Sequence, residues 1–286
     1  MALKEILVHL DATPRSPLRL KIAADLAAKH GAALVGLHSY DMPASEIFIG
    51  DPPMYFDATQ VNEMLDRMRA TKDEECRKLQ TGFEAEVVAH GLVGEWRQVE
   101  GFATEVVSLH GRYADLVVVG QPSPDTGIGA ALDPALLMGA GCPLLVIPYA
   151  GNYPSLGSHV LIGWNATAEA ARAVADAMPL LQTAKKVTIV AINSQRGPQR
   201  GITADGEKPA DDLARHLAHH GVKAESRQIT ATDISEGEAL LSFAAYVGAD
   251  LLVCGMYGHS RFREMAFGGV TRSLLIAMTV PSLLAH

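Results

Sequence analysis

Three short segments of this sequence occur twice, in the same order along the chain. The matched pairs are ILVHLD and VLIGWN (6–11 and 160–165), ADLVVVG and ADLLVCG (114–120 and 249–255), and CPLLVI and VPSLLA (142–147 and 280–285). A unit of roughly 135–150 residues that occurs twice constrains the fold strongly, because both copies must be able to form one structure. We therefore divide the chain into domains 1–150 and 158–286, joined by a stretch rich in Gly, Pro and Ser.

Within each copy, short apolar runs alternate with helical patterns. The predicted strands are 4–10, 33–39, 95–99, 115–119 and 144–147, then 159–164, 187–192, 223–229, 250–254 and 282–285. The predicted helices are 16–30, 59–90, 103–112 and 130–140, then 167–181, 208–220, 236–247 and 269–278. The runs LVVV and LLVC are apolar on both faces, as in parallel strands covered by helices on both sides. The predicted fold is α/β, with two doubly wound, five-stranded parallel-sheet domains.

A glycine-rich loop follows the fourth strand of the second copy. From Gly255 to Thr271 it reads G-x2-G-x9-G-G-V-T. Doubly wound sheets bind ligands beyond the carboxyl ends of their strands, where the strand order reverses. Glycines that open a helix let an anion approach unpaired backbone N–H groups, and Thr271 adds a hydroxyl. The loop is therefore a candidate polyphosphate site, although the same glycines would also serve as turn and cap residues.

With this motif in a repeated unit, the sequence resembles a tandem universal stress protein, with two such domains in one chain. The resemblance implies a fold like that of the adenine nucleotide alpha-hydrolases, with flavodoxin-like topology. It also implies a stress-response regulator or switch that binds an adenine nucleotide, ATP with or without Mg²⁺, in its second domain. The residues that would line this site are Trp164, Asn165, Ala166, Ile192, Cys254, Gly255, Tyr257, Gly258, Gly268, Gly269, Val270 and Thr271.

In relatives that bind nucleotides, the loop after the first strand contacts adenosine and the later glycines hold the phosphates. Two positions depart from the family pattern. Asn165 stands where an Asp is usual, so its side chain can accept a hydrogen bond but carries no charge. Gly269 replaces a Ser or Thr, which removes one hydroxyl contact. Trp164 is also unusual there, because it could either stack on a base or fill the pocket.

The first copy departs much further from the motif. Ser123 replaces the second motif glycine, Ala130 and Ala131 replace the glycine pair, and Asp133 replaces the threonine. A carboxylate at the phosphate end would repel an anion, although Asp11 is kept after the first strand. We expect a structural role for this copy, in which it pairs with the second copy, and a different small ligand there stays open.

Composition excludes several classes of partner. The formal net charge is −8 with no basic block, which argues against nucleic acid. The most apolar run, at 135–147, is too short to span a membrane. The three cysteines are widely spaced and form no metal-ligand pair and no disulfide framework, which favours a reducing cytoplasm. Three histidines, His216, His219 and His220, are expected at the solvated margin of a helix.

The sequence leaves the question of activity open. It contains no P-loop, no dinucleotide-binding fingerprint and no pyrophosphatase loop, so we predict no catalytic residues, and slow ATP hydrolysis is a weaker alternative. The rival to a nucleotide switch is an interaction or scaffold protein that binds no nucleotide. An open sheet also exposes an edge strand, which must pair within the chain or with a partner in a homodimer.

Overall fold

The computed structural model describes residues 2–40, 58–122, 139–193, 209–256 and 274–286. The helix predicted at 130–140 lies outside these residues except for its last two positions. Of the helix predicted at 269–278, residues 274–277 are described and are helical.

The described residues form ten strands that agree with the predicted ones to within one residue at each end. They are β1 (Glu5–Leu10), β2 (Ala33–Tyr40), β3 (Gly94–Glu100), β4 (Leu116–Gly120), β5 (Leu144–Ile147), β6 (His159–Gly163), β7 (Lys186–Ile192), β8 (Ala224–Ile229), β9 (Leu251–Gly255) and β10 (Ser282–Ala285). The helices described over their whole length are α1 (Ser16–His30), α2 (Ala58–His90), α3 (Ala103–Gly111), α4 (Ala168–Asp176), α5 (Met178–Thr183), α6 (Pro209–His219) and α7 (Glu236–Val247).

One predicted helix is divided in two. The pattern at 167–181 predicts a single helix, whereas the structure has α4 and α5 with a break at Ala177. Pro179 lacks a backbone N–H and cannot donate a hydrogen bond to the preceding turn, so the helix restarts at that point.

All ten strands belong to one sheet, in the order β3-β2-β1-β4-β5-β10-β9-β6-β7-β8. Neighbouring strands are parallel within each half of this order, and β5 and β10 pair antiparallel at the centre. The doubly wound α/β fold is therefore confirmed. One detail differs, because each half has the strand order 3-2-1-4-5, as in the first five strands of a Rossmann sheet, and not the flavodoxin order 2-1-3-4-5.

The central β5–β10 pair covers one edge strand of each half within the chain, and β3 and β8 form the two ends of the sheet. Without this pair, two short and fully buried strands would present unpaired backbone groups to water. Side chains reinforce this junction. Gln121, just after β4, donates from Nε2 to the carbonyl oxygens of Leu275 (2.8 Å) and Ile276 (3.1 Å) near the end of the chain.

The internal repeat is visible in the hydrogen bonds that begin each half. Asp115, before β4, accepts the backbone N–H groups of Lys4 and Glu5 at 2.7 and 3.0 Å. Asp250, before β9, accepts those of Ser158 and His159 at 3.1 and 2.9 Å. Each carboxylate thus joins the first and fourth strands of its half, which explains why an aspartate precedes the fourth strand in both copies.

Two apolar layers cover the sheet. On the first face, buried side chains of α1, α2, α4, α5 and α6 pack against the strands. On the second face, the covering residues come from α3, α7 and the segment near Leu274. Within the described residues, no helix has both the length and the apolar character needed to cross a membrane.

Candidate functional site

The strand order reverses at two places, which we call switch points. The N-terminal switch point lies at the carboxyl ends of β1 and β4, and the C-terminal switch point lies at those of β6 and β9. Because β5 and β10 are antiparallel, the two switch points lie at opposite ends of the sheet. Ligands of doubly wound sheets bind at such positions.

Six of the predicted site residues are described, and all six follow or end the strands of the C-terminal half. These six are Trp164, Asn165, Ala166, Ile192, Cys254 and Gly255. The other six lie outside the described residues, and they are Tyr257, Gly258, Gly268, Gly269, Val270 and Thr271. The strand order brings β6 and β9 side by side, with β7 next to β6.

The turn after β6 is held by its own side chains. The Oδ1 atom of Asn165 accepts hydrogen bonds from the backbone N–H of Thr167 (3.3 Å) and from its hydroxyl (2.9 Å). The Thr167 oxygen in turn accepts the N–H of Ala170 and caps α4. The Asn165 oxygen that was expected to accept a bond from a ligand is therefore already engaged, while the side chain itself is exposed.

Two residues at the carboxyl ends of β6 and β7 have left-handed backbones. Ala166 has φ of +56° and Asn193 has φ of +51°, and they are the non-glycine residues with positive φ in the described part of the chain. The left-handed region disfavours an alanine by about 1–2 kcal/mol. Backbone strain of this kind is often found at functional sites, where surrounding structure maintains it.

Gly255 allows a helix to approach the sheet closely. A Cβ atom at this position would overlap the backbone of Glu169 and Ala170 in the first turn of α4. The first glycine of the motif is thus required by packing. It also places the start of the motif directly beside a helix N-terminus, where backbone N–H groups favour an anion.

The Cys254 side chain lies in the core of the second face. It is buried against Leu240 and Gly163 beneath α7. Burial raises the pKa of the Cys254 thiol to about 12, so the thiolate required of a nucleophile is scarce at neutral pH. Only the backbone of this residue is left for the nucleotide contact that the family resemblance implies.

Trp164 and Ile192 point to opposite faces of the sheet. Trp164 is half-buried and packs on the first face, whereas Ile192 packs on the second. The structure therefore does not combine these two side chains in one base pocket, although both lie at the same end of the sheet. The Nε1 atom of Trp164 is buried without a hydrogen-bond partner.

The N-terminal switch point is filled by a buried ionic cluster. The Arg19 guanidinium lies 2.9 Å from Asp11, donates to the carbonyl of His9 at 2.6 Å, and covers Gly120 at the end of β4. Arg19 is 2% exposed and Asp11 is 8% exposed. Burial alone would raise the pKa of Asp11, but Arg19 and His9 outweigh it and lower that pKa below its ordinary value.

His9 connects this cluster to β2. Its Nε2 is 3.0 Å from the Ser39 hydroxyl, and its Nδ1 is 4.0 Å from Asp11. Ser39, His9 and Asp11 follow one another as in a nucleophilic triad. The distance of 4.0 Å between His9 Nδ1 and the Asp11 carboxylate is, however, too long for a hydrogen bond. Burial, with help from Arg19, lowers the pKa of His9 from 6.5 to about 3. An imidazole this weakly basic would be a poor general base at neutral pH, so the cluster favours a structural role.

In the second copy, small residues occupy the positions that correspond to the buried cluster of the first copy. His9 corresponds to Gly163, and Arg19 corresponds to Ala173. The sequence pattern pointed to Asp11 but not to His9 or Arg19. Polar residues inside the apolar patterns of β1 and α1 were the signal that could have found them.

Within the described residues, no group of three His, Cys, Asp or Glu side chains is placed to hold a metal ion. The helix α6 buries Leu213 and Leu217 and exposes His216, His219 and His220. The predicted position of these histidines at the solvated margin of the helix is confirmed.

The fold defines a doubly wound, mostly parallel α/β protein built from two similar halves. Residues 158–286 match the model of the Universal stress protein family. A universal stress protein from Archaeoglobus fulgidus DSM 4304 has a TM-score of 0.70 at 15% identity, and the alignment covers 98% of this chain and 97% of that one. The C-terminal half thus contains a domain of the Universal stress protein family, and along its whole length the chain has the fold of a solved universal stress protein.

Two further solved structures are similar to this chain. A functionally unknown protein from Pseudomonas aeruginosa PAO1 has a TM-score of 0.56 at 13% identity, with 99% of this chain and 92% of that chain covered. A universal stress protein solved in complex with cAMP covers 51% of this chain and 98% of its own, at 19% identity and a TM-score of 0.36. A TM-score of 0.36 is too low to relate the ligand of that protein to this chain. The comparison with curated proteins gives no match.

Proposed function

We propose that the C-terminal half binds an adenine nucleotide, ATP with or without Mg²⁺, at its switch point. Occupancy of the site would change the conformation or the choice of partner, so that the protein acts as a switch in a stress response. The observation that carries this proposal is the position of Gly255. This first motif glycine lies at the end of β9 against the first turn of α4, where a loop that cradles phosphate would begin.

The turn after β6 supports the same proposal. Its left-handed Ala166 is exceptional for a residue that is not glycine, and it lies beside the loop that would contact adenosine. No buried charge is found at this switch point within the described residues, in contrast to the N-terminal one. An incoming phosphate would therefore meet backbone N–H groups without a buried carboxylate to repel it.

The experiment is a calorimetric titration of ATP, with and without Mg²⁺, into nucleotide-free protein. The informative variant is Gly258→Asp, and the matched control is Ser123→Asp at the corresponding position of the first copy. We expect saturable binding at one site per chain that is lost in the first variant and kept in the second. No heat up to about 1 mM ATP, equivalent to about 4 kcal/mol of binding free energy, would contradict the proposal.

The second candidate is an interaction or scaffold protein that binds no nucleotide. Two observations favour it: the Asn165 oxygen is engaged within its own turn, and Trp164 packs away from Ile192. In that case ATP would produce neither heat nor thermal stabilisation, and the glycine motif would serve only to pack α4 on β9.

Three further expectations belong to this proposal. Domains 1–150 and 158–286 would be the functional units, with the first in a structural role. The protein would act in the cytoplasm, either alone, as a homodimer, or with protein partners. If ATP is hydrolysed slowly, phosphate release should scale with protein concentration and fall in a Thr271→Ala variant, while calorimetry reports whether that variant still binds ATP.

A further inference from the structure

We propose that a groove on the first face of the sheet binds a small, mostly apolar and uncharged molecule that carries a hydrogen-bond acceptor. The α4–α6 groove, as we call it, is formed by α4 and α5 on one side and α6 on the other, with Trp164 and residues near the start of the chain completing its wall. This site shares Trp164 and Ala166 with the predicted nucleotide lining, but its proposed ligand does not depend on nucleotide binding.

The groove has the size and lining of a small-molecule site. Its volume is about 920 Å³, within the roughly 300–1,000 Å³ typical of ligand pockets. Its walls include the apolar side chains of Val174, Met178, Pro179 and Leu213. Ala171 and Ala175 are exposed along the same stretch of α4, so their methyl groups face the open groove.

Two polar atoms in this lining lack partners. Nε1 of Trp164 and Nε2 of His30 are both buried and make no hydrogen bond to the residues that the structure describes. A buried polar group without a partner is disfavoured by about 1–3 kcal/mol. The indole N–H can only donate, so the group that would satisfy it must be an acceptor such as a carbonyl or ether oxygen.

The charges around the groove favour an uncharged ligand. No lysine or arginine is among its described lining residues, and Asp212 is already ion-paired with Arg215. Burial, assisted by Lys29, lowers the pKa of His30, so this imidazole is neutral at pH 7. A polyphosphate would find no fixed positive charge here.

The faces of the sheet separate this groove from the proposed nucleotide site. Trp164 contributes its ring on the first face, whereas Ile192 and Cys254 lie on the second. Ala166 touches the groove and also belongs to the proposed nucleotide turn, so the two sites adjoin at one end only.

The test uses prodan, an uncharged naphthalene dye with one ketone oxygen, in a Trp96→Phe background. Because the chain has two tryptophans, Trp164 is then the sole indole reporter. We expect saturable quenching of Trp164 with matching enhancement of dye emission. Ala175→Glu places a charge in the groove and should weaken binding by roughly tenfold or more. Ala245→Glu, on the exposed side of α7, is the matched control and should bind as the background does.

Three further arms complete the test. Trp164→Phe, followed by dye emission, should weaken binding roughly three- to tenfold, as expected for one lost hydrogen bond. Anilinonaphthalene sulfonate, an anion, should bind more weakly than prodan, and Gly258→Asp should leave prodan binding unchanged. The proposal is overturned if prodan does not saturate, if both glutamate variants bind equally, if the anion binds as tightly as prodan, or if Gly258→Asp abolishes prodan binding.

Discussion

At the end of β1, Asp11, Arg19 and His9 form a buried cluster, while at the end of β6 the corresponding positions hold Asn165, Ala173 and Gly163. The same topology therefore supports two different chemistries. One half uses the switch point for buried polar interactions that join β1, α1 and β2. The other keeps it free of buried charge, at the expense of a strained alanine, and places a glycine motif beside a helix N-terminus.

The comparison teaches that a duplicated unit can keep its fold while its two switch points hold different side chains. The residues that both halves share are those that join strands of the sheet, such as Asp115 and Asp250. The elements that differ lie at the carboxyl ends of the strands, where a side chain can be exchanged with little effect on the sheet.

The largest expected change in stability comes from a substitution in the buried Asp11–Arg19–His9 cluster of the first half. Arg19→Met should destabilise the protein by about 3–5 kcal/mol, because it leaves the buried Asp11 without its partner. Arg172→Met on α4, which removes an exposed guanidinium, should change stability by less than about 0.5 kcal/mol. Urea unfolding of both variants gives the comparison, and a similar loss in the two would show that the Asp11–Arg19 pair is not what holds this switch point.

The next effect compares two glycines at matching strand ends. Gly255→Ala should cost about 1–3 kcal/mol, because the new methyl group meets the fixed backbone of α4. Gly120→Ala should cost a similar amount, because its methyl group meets the Arg19 guanidinium, which Asp11 and the His9 carbonyl hold in place. Thermal or urea unfolding measures both, and a negligible loss for Gly255→Ala would mean that α4 is free to move away from β9.

The third effect is a dependence of stability on pH that arises from His9. Its folded pKa of about 3 lies below the 6.5 of the unfolded chain, so only the unfolded state binds a proton between these values. Stability should therefore fall with pH below 6.5, by about 2 kcal/mol between pH 7 and pH 5. A His9→Gln variant should lack this part of the pH dependence. Parallel profiles for the variant and the parent would contradict the low pKa.

The smallest effect concerns the turns that follow β1 and β6. Ala166→Gly relieves a positive φ, whereas Ala12→Gly at the matching position of the first copy does not. The stabilities of the two variants should differ by about 1 kcal/mol in favour of Ala166→Gly. If they are equal, Ala166 is not strained in solution, and the support that this turn gives to a nucleotide site is removed.

The sequence predicted the fold more completely than the site. Strands such as β5 and β10 have apolar patterns that require burial on both faces, so their positions followed from local composition. The site depends on contacts between distant segments. Arg19 and Asp11 are close in sequence, but the position of Arg19 over Gly120 could be seen only after β1 and β4 were placed side by side.

The sequence by itself determined that this chain contains a duplicated α/β unit, with a glycine motif kept in one copy and lost in the other. Periodicity and repeats can be recognised from the order of the residues alone, without knowledge of tertiary contacts. Only the tertiary structure decided that β5 and β10 join the halves into one sheet, that Trp164 faces a groove, and that His9 is buried and neutral. These outcomes depend on which distant surfaces exclude water from each other, and that is a property of the folded chain.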